Sequence, residues 1–353
     1  MFLKFTPQFM THASDASTPP MFKLSLIIPT YNRPDLLSVA LEHIAQARVP
    51  DDMDLTVIVS DNNSTPDNQK ANKAALSKFP GLKMKYLLAL QQGRSAALNF
   101  SLAHTADEYL GFIDDDEKLD PSWFEVAAAY IRKGEIDFLG GPYKPDWQSP
   151  PPSWLPMHVG AYRAVLGWIE QSDRAQPFKE FGGSICGGNC IVKRSALLEA
   201  GGFATDIGRS KGNLMGGEDD ELHRNLMLKG FHGIYDPALV IYHFIPESRM
   251  TRSYHMRWSF WSGASNGVRL QWLPPEPVPT LFGLPRYRYS RAFAGLLRFA
   301  RFLVSRAPNS GALSFTGLMD AIYLLGTLYG KLVLSRRCGR RLVGAVVSAT
   351  PNT

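Results

Sequence analysis

Tyr109-Leu110-Gly111-Phe112-Ile113-Asp114-Asp115-Asp116-Glu117 joins a short apolar run to four consecutive carboxylates. The apolar part has the length of a buried strand. Four adjacent acids repel one another. A folded chain tolerates them only beside a cation or hydrogen-bond donors. A divalent metal at the carboxyl end of a strand is the simplest answer, and in an open α/β sheet that end is where ligands bind.

Upstream, strand and helix signals alternate. Leu24–Pro29 reads as a buried first strand. It breaks at Pro29-Thr30-Tyr31-Asn32-Arg33-Pro34, and a helix follows with Leu36, Leu37, Ala40, Leu41 and Ile44 on one side. Pro34 suits the first helical turn. Leu55–Ser60 is a second strand, ending in Asp61-Asn62-Asn63-Ser64-Thr65-Pro66, a run of polar turn formers. A helix at 67–78 leads to a weak strand at 83–88, and Gly93-Arg94-Ser95 opens a helix to about 105. This alternation predicts an α/β fold with a doubly wound, mostly parallel sheet. Right-handed crossovers bring Thr30-Tyr31-Asn32, Asp61-Asn62 and Asp114-Asp115-Asp116 to one edge, lining a nucleotide-sized crevice. The sequence has no G-x-G-x-x-G and no Walker A loop, so a metal has more of the phosphate work to do.

Downstream, a helix at 121–133 precedes a Gly-, Pro- and Trp-rich stretch at 140–160, read as a long loop. A strand at 189–193 follows Gly187-Gly188, and a helix covers 194–200. The loop 208–217 enters a second acidic cluster, Glu218-Asp219-Asp220-Glu221, which opens a helix to about Lys229. Acids in a first turn also complement the helix dipole. Taken alone, that cluster is equally a well-charged helix start; its pairing with the first cluster favours function. Leu239–His243 reads as a buried strand ending in histidine. A lone strand-end histidine is more often structural, but near this edge a third metal ligand is a competitive reading.

Taken together, these residues resemble glycosyltransferase family 2 over roughly Lys23 to Gly267. Ser25–Arg33 is similar to the family's opening strand and donor loop, and Val59–Thr65 to its second nucleotide-contacting turn. Phe112-Ile113-Asp114-Asp115-Asp116 looks like the metal-binding D-x-D. Gly217–Leu222 resembles the E-D motif that supplies the base. The resemblance implies the GT-A fold, a Rossmann-like sheet flanked by helices. It implies donor contacts from Pro29, Thr30, Tyr31, Arg33, Asp114 and Asp115, with Asp61 on the base edge and Asp114 on the ribose. It puts Asp116 and His243 on the metal, Mg²⁺ or Mn²⁺. Asp219 becomes the general base, with Glu218 and Asp220 as neighbours. Gly188, Asn189 and Trp154 are assigned to the acceptor side. One departure stands out: the family often has Arg in the helix after its third strand, where this chain has Leu98. Arg94, one turn earlier, is the expected replacement.

The implied activity is metal-dependent, inverting transfer from a nucleotide-sugar, with UDP the default nucleotide, to a hydroxyl of a glycan or lipid-linked acceptor. The alternatives are a nucleotidyltransferase and a non-catalytic sugar-binding protein. The first wants a Gly-rich basic loop after its first strand, where this chain has Pro29–Arg33. Against the second, both acidic clusters are intact.

Composition sets the outer limits. The 353 residues carry a net charge of +6. From Thr280 onward there are eleven Lys/Arg and one acid, Asp320, which makes that segment +10 and leaves the remainder −4 by difference. The basic region is local, and no nucleic-acid motif accompanies it. Three cysteines give no disulfide framework, which fits a reducing compartment. Gly263-Ala264-Ser265-Asn266-Gly267 matches the hydrolase elbow G-x-S-x-G, but the residues before it read as a helix, not the strand that motif needs. Residues 286–306 and 313–334 read as helices, the first mixing arginines with apolar residues, and Arg336–Arg341 adds a basic cluster. Basic amphipathic helices point to peripheral attachment at anionic lipid, with a helical pair packed on the catalytic domain, or a homo-oligomer interface, as the bland reading. The expected division is a disordered segment at 1–20, a catalytic domain at 21–270 with halves at 21–133 and 134–270, and a basic helical region at 271–353. The expected location is the cytoplasm, peripheral at the inner face of the cell membrane.

Overall fold

The computed structural model describes residues 21–155, 157, 160–179, 183–205, 207–208, 213–270, 277–305 and 311–335. The segment 1–20 and the Arg336–Arg341 cluster therefore lie outside the described residues. In chain order the elements begin β1 (Phe22–Thr30), α1 (Pro34–Gln46), β2 (Met53–Asp61), α2 (Pro66–Leu76), β3 (Met84–Leu88) and α3 (Arg94–Ala103). Next come β4 (Tyr109–Phe112), β5 (Glu117–Leu119), α4 (Trp123–Lys133), β6 (Phe138–Gly140), β7 (Tyr143–Trp147), α5 (Gly160–Leu166) and β8 (Gln176–Pro177). Then follow β9 (Cys190–Lys193), α6 (Arg194–Glu199), α7 (Glu218–Leu228), β10 (Gly233–Tyr235) and β11 (Ile241–Ile245). The last are α8 (Arg252–Arg269), β12 (Thr280–Leu281), β13 (Leu284–Pro285), α9 (Arg286–Ser305) and α10 (Gly311–Tyr329).

The main sheet runs β3-β2-β1-β4-β9-β6-β10-β8. Its first four strands are parallel, while β9 is antiparallel to both neighbours. The chain winds outward from β1 to β3, then crosses to place β4 on the other side of β1. Such a reversal opens a crevice at the carboxyl ends of the strands. Thr30 pairs with Asp61 there, and Ile27 with Phe112, two residues short of Asp114.

Alternation along β1 builds two cores, because successive side chains face opposite sides of a sheet. Leu24, Leu26 and Ile28 pack with Leu37, Leu41 and Ile44 of α1 and with Trp123, Phe124 and Ile131 of α4. Ile27 packs the other way, with Leu98 of α3, Leu197 of α6, and Leu222 and Leu226 of α7. Leu98, the departure from the family pattern, is thus a fully buried core residue.

A second sheet, β5-β11-β7, is small and decisive for the site. The expected strand at 239–243 is displaced to Ile241–Ile245, and His243 is not at its end. It sits mid-strand, directly opposite Glu117 in the antiparallel β5–β11 pair. Since β5 begins where the four acids stop, the ladder carries His243 to them.

The hydrolase-like G-x-S-x-G lies inside α8. Its glycines are contact points between helices: a Cβ on Gly263 would lie 2.1 Å from the Tyr323 carbonyl oxygen, and one on Gly267 2.2 Å from that of Thr327. Small residues one turn apart let two backbones touch. Ser265 donates to the Trp261 carbonyl, as a helical serine does. The division expected at residue 270 falls between α8 and the α10 helix it packs against. Phe315 and Met319 of α10 also share a core with Leu155, Tyr162 and Ile245. Among the described residues one helical stretch, Phe315–Leu334, is long and apolar enough to cross a membrane.

Candidate active site

The turn after β1 grips the acids. Thr30 donates to Asp115 Oδ2 at 2.8 Å, and Arg33 Nη1 reaches Asp115 Oδ1 at 3.2 Å and Asp116 Oδ2 at 3.3 Å. Asn32, at φ 56°, accepts from the Thr65 amide and Asn68 Nδ2, tying this turn to the one after β2. Burial and repulsion from Asp116 push the Asp115 carboxyl up to about 7, against the pull of Arg33 and Thr30. Tyr31 is exposed at the turn, and Pro29 is buried within β1.

Glu117 is 1 % exposed. Its Oε2 accepts the Asp114 amide at 2.6 Å, whereas Oε1 is buried with no hydrogen-bond partner among the described residues. Burial, together with Asp114 and Asp116, holds its carboxyl well above the usual range. Oxygens of Asp114, Asp116 and Glu117 lie within 4.8 Å of one another. A buried oxygen without a partner, in an all-oxygen cluster, fits a hard divalent cation such as Mg²⁺ or Mn²⁺.

His243 approaches from β11, its Nε2 3.9 Å from Asp116 Oδ2. Its ring stacks on Tyr143 at 5.8 Å. Arg249 Nη1 lies 2.8 Å from His243 Nε2, and Nη2 lies 3.1 Å from Asp116 Oδ2. A guanidinium only donates, so in this contact Nε2 is the accepting atom.

Arg94 spans the crevice. Its Nε donates to Asp114 Oδ1 at 2.8 Å, and its Nη1 to Asp219 Oδ1 at 3.3 Å. Glu218 Oε1 is 3.8 Å away. Asp219 sits in the first turn of α7, behind Gly217 at φ 111°. A Cβ on Gly187 would fall 1.9 Å from Asp219 Oδ1, so only glycine leaves that carboxylate room. About a third of the Asp219 side chain is open to solvent. Desolvation raises its pKa; Arg94 opposes this and Asp114 adds to it. An acid raised this way, open on one side, is suited to accept a proton.

The model of the family described as glycosyl transferase family 2 matches residues 25–201. The chain belongs to glycosyltransferase family 2. It is 25 % identical over 240 residues to the succinoglycan biosynthesis protein ExoM of Rhizobium meliloti, covering 67 % of this chain and 72 % of that one. It is 24 % identical over 259 residues to a glucosyl-dolichyl phosphate glucuronosyltransferase of Haloferax volcanii, covering 70 % and 77 %. Among solved structures, the mannosyltransferase PcManGT of Pyrobaculum calidifontis, in complex with GDP-Man and Mn²⁺, superposes with TM-score 0.54 at 17 % identity and 89 % coverage of both chains. The fold is that of the GT-A transferases, and the protein is a sugar-transferring enzyme.

Several positions in this glycosyltransferase differ from expectation. Asn189, expected at the acceptor, is fully buried. Its Oδ1 accepts from Trp123 Nε1 at 2.8 Å, and its Nδ2 donates to the Pro142 and Leu239 carbonyls. It has no hydrogen left to offer a sugar; it clamps α4 to the loops flanking the second sheet. Asn189→Ala should therefore lower stability by about 3 kcal/mol, the cost of orphaning buried polar groups, read as a reduced denaturant midpoint. Gly188 is buried beneath Glu117 and donates its amide to the Tyr143 hydroxyl at 2.6 Å. Trp154 packs on Tyr162, His255 and Phe315, with Arg252 over its ring, and so fastens the helical region.

Two donor-side and base-side residues are also recast. Asp61 is 0 % exposed; its Oδ1 accepts the Ser64 amide and its Oδ2 accepts from Asn72 and the Tyr86 hydroxyl. It builds the second turn, and its carboxylate has no open face for a base edge in this structure. Asp220 pairs with Arg269 of α8 at 2.6 Å. The structure adds Arg249, Glu117 and Tyr143 to the site. Of the three arginines near the start of α8, Arg249 alone reaches the acids, while Arg252 lies on Trp154. Arg249 lies six positions after His243, a spacing that signals contact only once the intervening turn is known.

Proposed function

We propose that this glycosyltransferase moves a sugar from a nucleotide-sugar, a UDP-sugar being the first to test, to a hydroxyl of a glycan or lipid-linked acceptor by single displacement with inversion. The observation that carries this is Arg94: one guanidinium touches both Asp114 of the first acidic cluster and Asp219 of the second. The two clusters, a hundred residues apart in sequence, therefore line one crevice.

The donor's nucleotide lies over the Thr30–Arg33 turn, where Arg33 is half exposed and already oriented by Asp115. Asp114 meets the ribose. Asp116, with Asp114 and Glu117, would hold a Mg²⁺ or Mn²⁺ ion, which when bound neutralises charge developing on the leaving diphosphate. His243, now turned to Arg249, stands next to Asp116 as a further ligand if that contact is given up. Asp219 takes the proton from the acceptor hydroxyl as that oxygen attacks the anomeric carbon. Arg94 keeps Asp219 and Asp114 aligned, and Glu218 lies beside them. PcManGT, similar in fold, was solved in complex with GDP-Man and Mn²⁺, so GDP-sugars belong in the same screen. The Haloferax relative's acceptor is named as a dolichyl phosphate glycan. This supports a lipid-linked acceptor here; the placement that goes with it in this reading is the cytoplasm, against the inner membrane face.

A donor screen with UDP-, GDP- and dTDP-sugars tests the reading. Slow hydrolysis of one donor class in the presence of Mn²⁺, abolished by EDTA, is the expected result. Equal turnover with and without EDTA would remove the metal from the scheme, and no turnover of any donor would leave only a binding role.

A further inference from the structure

The hairpin β12–β13 ends in Phe282 and Gly283, with φ of 48° and 71°. Two consecutive left-handed residues make the tight hairpin turn that Asn-Gly normally fills. A phenylalanine there is an outlier, and the residue is 68 % exposed. Tyr289 and Lys331 hold the hairpin backbone at the Leu281 and Gly283 carbonyls, so the turn presents the Phe282 side chain to solvent from a fixed support.

The helix that follows continues the theme. Ala292 and Gly295 form the inner side of α9, with Gly295 against Gly317 of α10. Phe293, Leu296, Leu297, Leu303 and Val304 face outward, Val304 at 87 % exposure. Arg291, Arg298 and Arg301, spaced by seven and three residues, form an adjacent stripe. The helix carries five arginines and no acid. Asp320, the one acid from Thr280 onward, is already paired with Arg291.

An exposed apolar face bordered by unbalanced arginines needs a partner that is apolar in depth and negative at its surface. An anionic bilayer supplies both. We propose that the Leu281–Phe282 tip and the outer face of α9 dock this chain to anionic membrane, with Phe282, Phe293, Leu297 and Val304 entering the interface and the arginines at phosphate level. The surface connects to the active site through α10 and α8: Arg269 of α8 holds Asp220, and Ser265 accepts the Gly216 amide at 3.0 Å, just ahead of Asp219. A membrane-borne acceptor and the base would then share one support. The docking rests on the membrane placement proposed above, but its failure and that of the transfer chemistry are distinguishable, because vesicle binding needs neither donor nor metal.

The test is sedimentation of the full chain with vesicles of phosphatidylglycerol and phosphatidylcholine in equal parts, against phosphatidylcholine alone. The wild type should pellet with the anionic vesicles only. The Phe282→Ser/Phe293→Ser/Leu297→Ser variant should stay in the supernatant. Arg298→Gln/Arg301→Gln should need about 30-fold more lipid, at about fivefold per arginine. Both variants alter exposed residues and should keep the wild-type melting temperature. Wild-type protein in the supernatant with anionic vesicles would overturn the proposal, as would an apolar variant that still pellets. A dimer in light scattering that the apolar variant turns into a monomer, without vesicle binding, would reassign the face to a second copy.

Discussion

Asp219→Asn should lower transfer by about a thousandfold, within the range for loss of a general base, while donor affinity stays within about threefold of the wild type by the same reasoning. The substitution is isosteric, and its oxygen still accepts from Arg94 and fits beside Gly187. What disappears is the capacity to take a proton. The pH profile gives a second reading of the same residue. Desolvation and Asp114 raise the Asp219 pKa above that of a free aspartate, and a base works only when ionised. Activity should therefore fall, as pH drops, at a higher pH than the ordinary aspartate value of about 4. Donor binding measured by calorimetry and transfer measured by product formation separate the two effects. Near-normal turnover by Asp219→Asn would move the base elsewhere in the cluster, with Glu218 next in line.

Asp116→Ala should abolish the metal dependence of donor binding. In the wild type, EDTA is expected to weaken donor affinity by about 100-fold, the scale on which ligand networks tune metal sites. In the variant, affinity should be the same with and without EDTA. The electrostatics make the contrast sharp. Asp116 Oδ2 accepts from Arg33 and from Arg249, so its removal leaves two guanidinium groups facing the crevice without that carboxylate. They retain attraction for a diphosphate on their own. Residual binding that ignores EDTA is therefore the signature of a lost metal ligand, whereas a global loss of fold would remove binding altogether and lower the melting temperature. An EDTA response equal to the wild type's would place the metal outside Asp116.

Much of the first sheet was readable from the chain because buried parallel strands and amphipathic helices announce themselves by apolar periodicity. The turns after β1, β2 and β4 were readable for the same reason: each is a polar run cut off sharply from an apolar one. Side-chain direction in the second half was less accessible. Asn189 and Trp154 sit in stretches rich in glycine, proline and aromatics, where composition signals a loop but says nothing of which way a residue points. Asn189 turned inward because Trp123 and two carbonyls needed partners. Trp154 turned toward α8 and α10 because their aromatic residues shield it from water. Glu117 closes the acidic run with nothing local to say which way it faces, and it is the most buried of the four because β5 begins with it.

The amino-acid sequence by itself determined the α/β winding, the edge at which Thr30, Arg33 and the acids Asp114–Asp116 gather, and the acidic start of α7. These follow from local patterns with periods of two and 3.6 residues. Only the tertiary structure decided that Glu117 faces inward beside Asp116, that His243 and Arg249 close on that same carboxylate, and that Arg94 bridges Asp114 to Asp219. Each of those depends on a register or a crossing between segments far apart in the chain: β5 against β11, α3 against α7. No local pattern encodes such a pairing; it is selected by the packing of the whole.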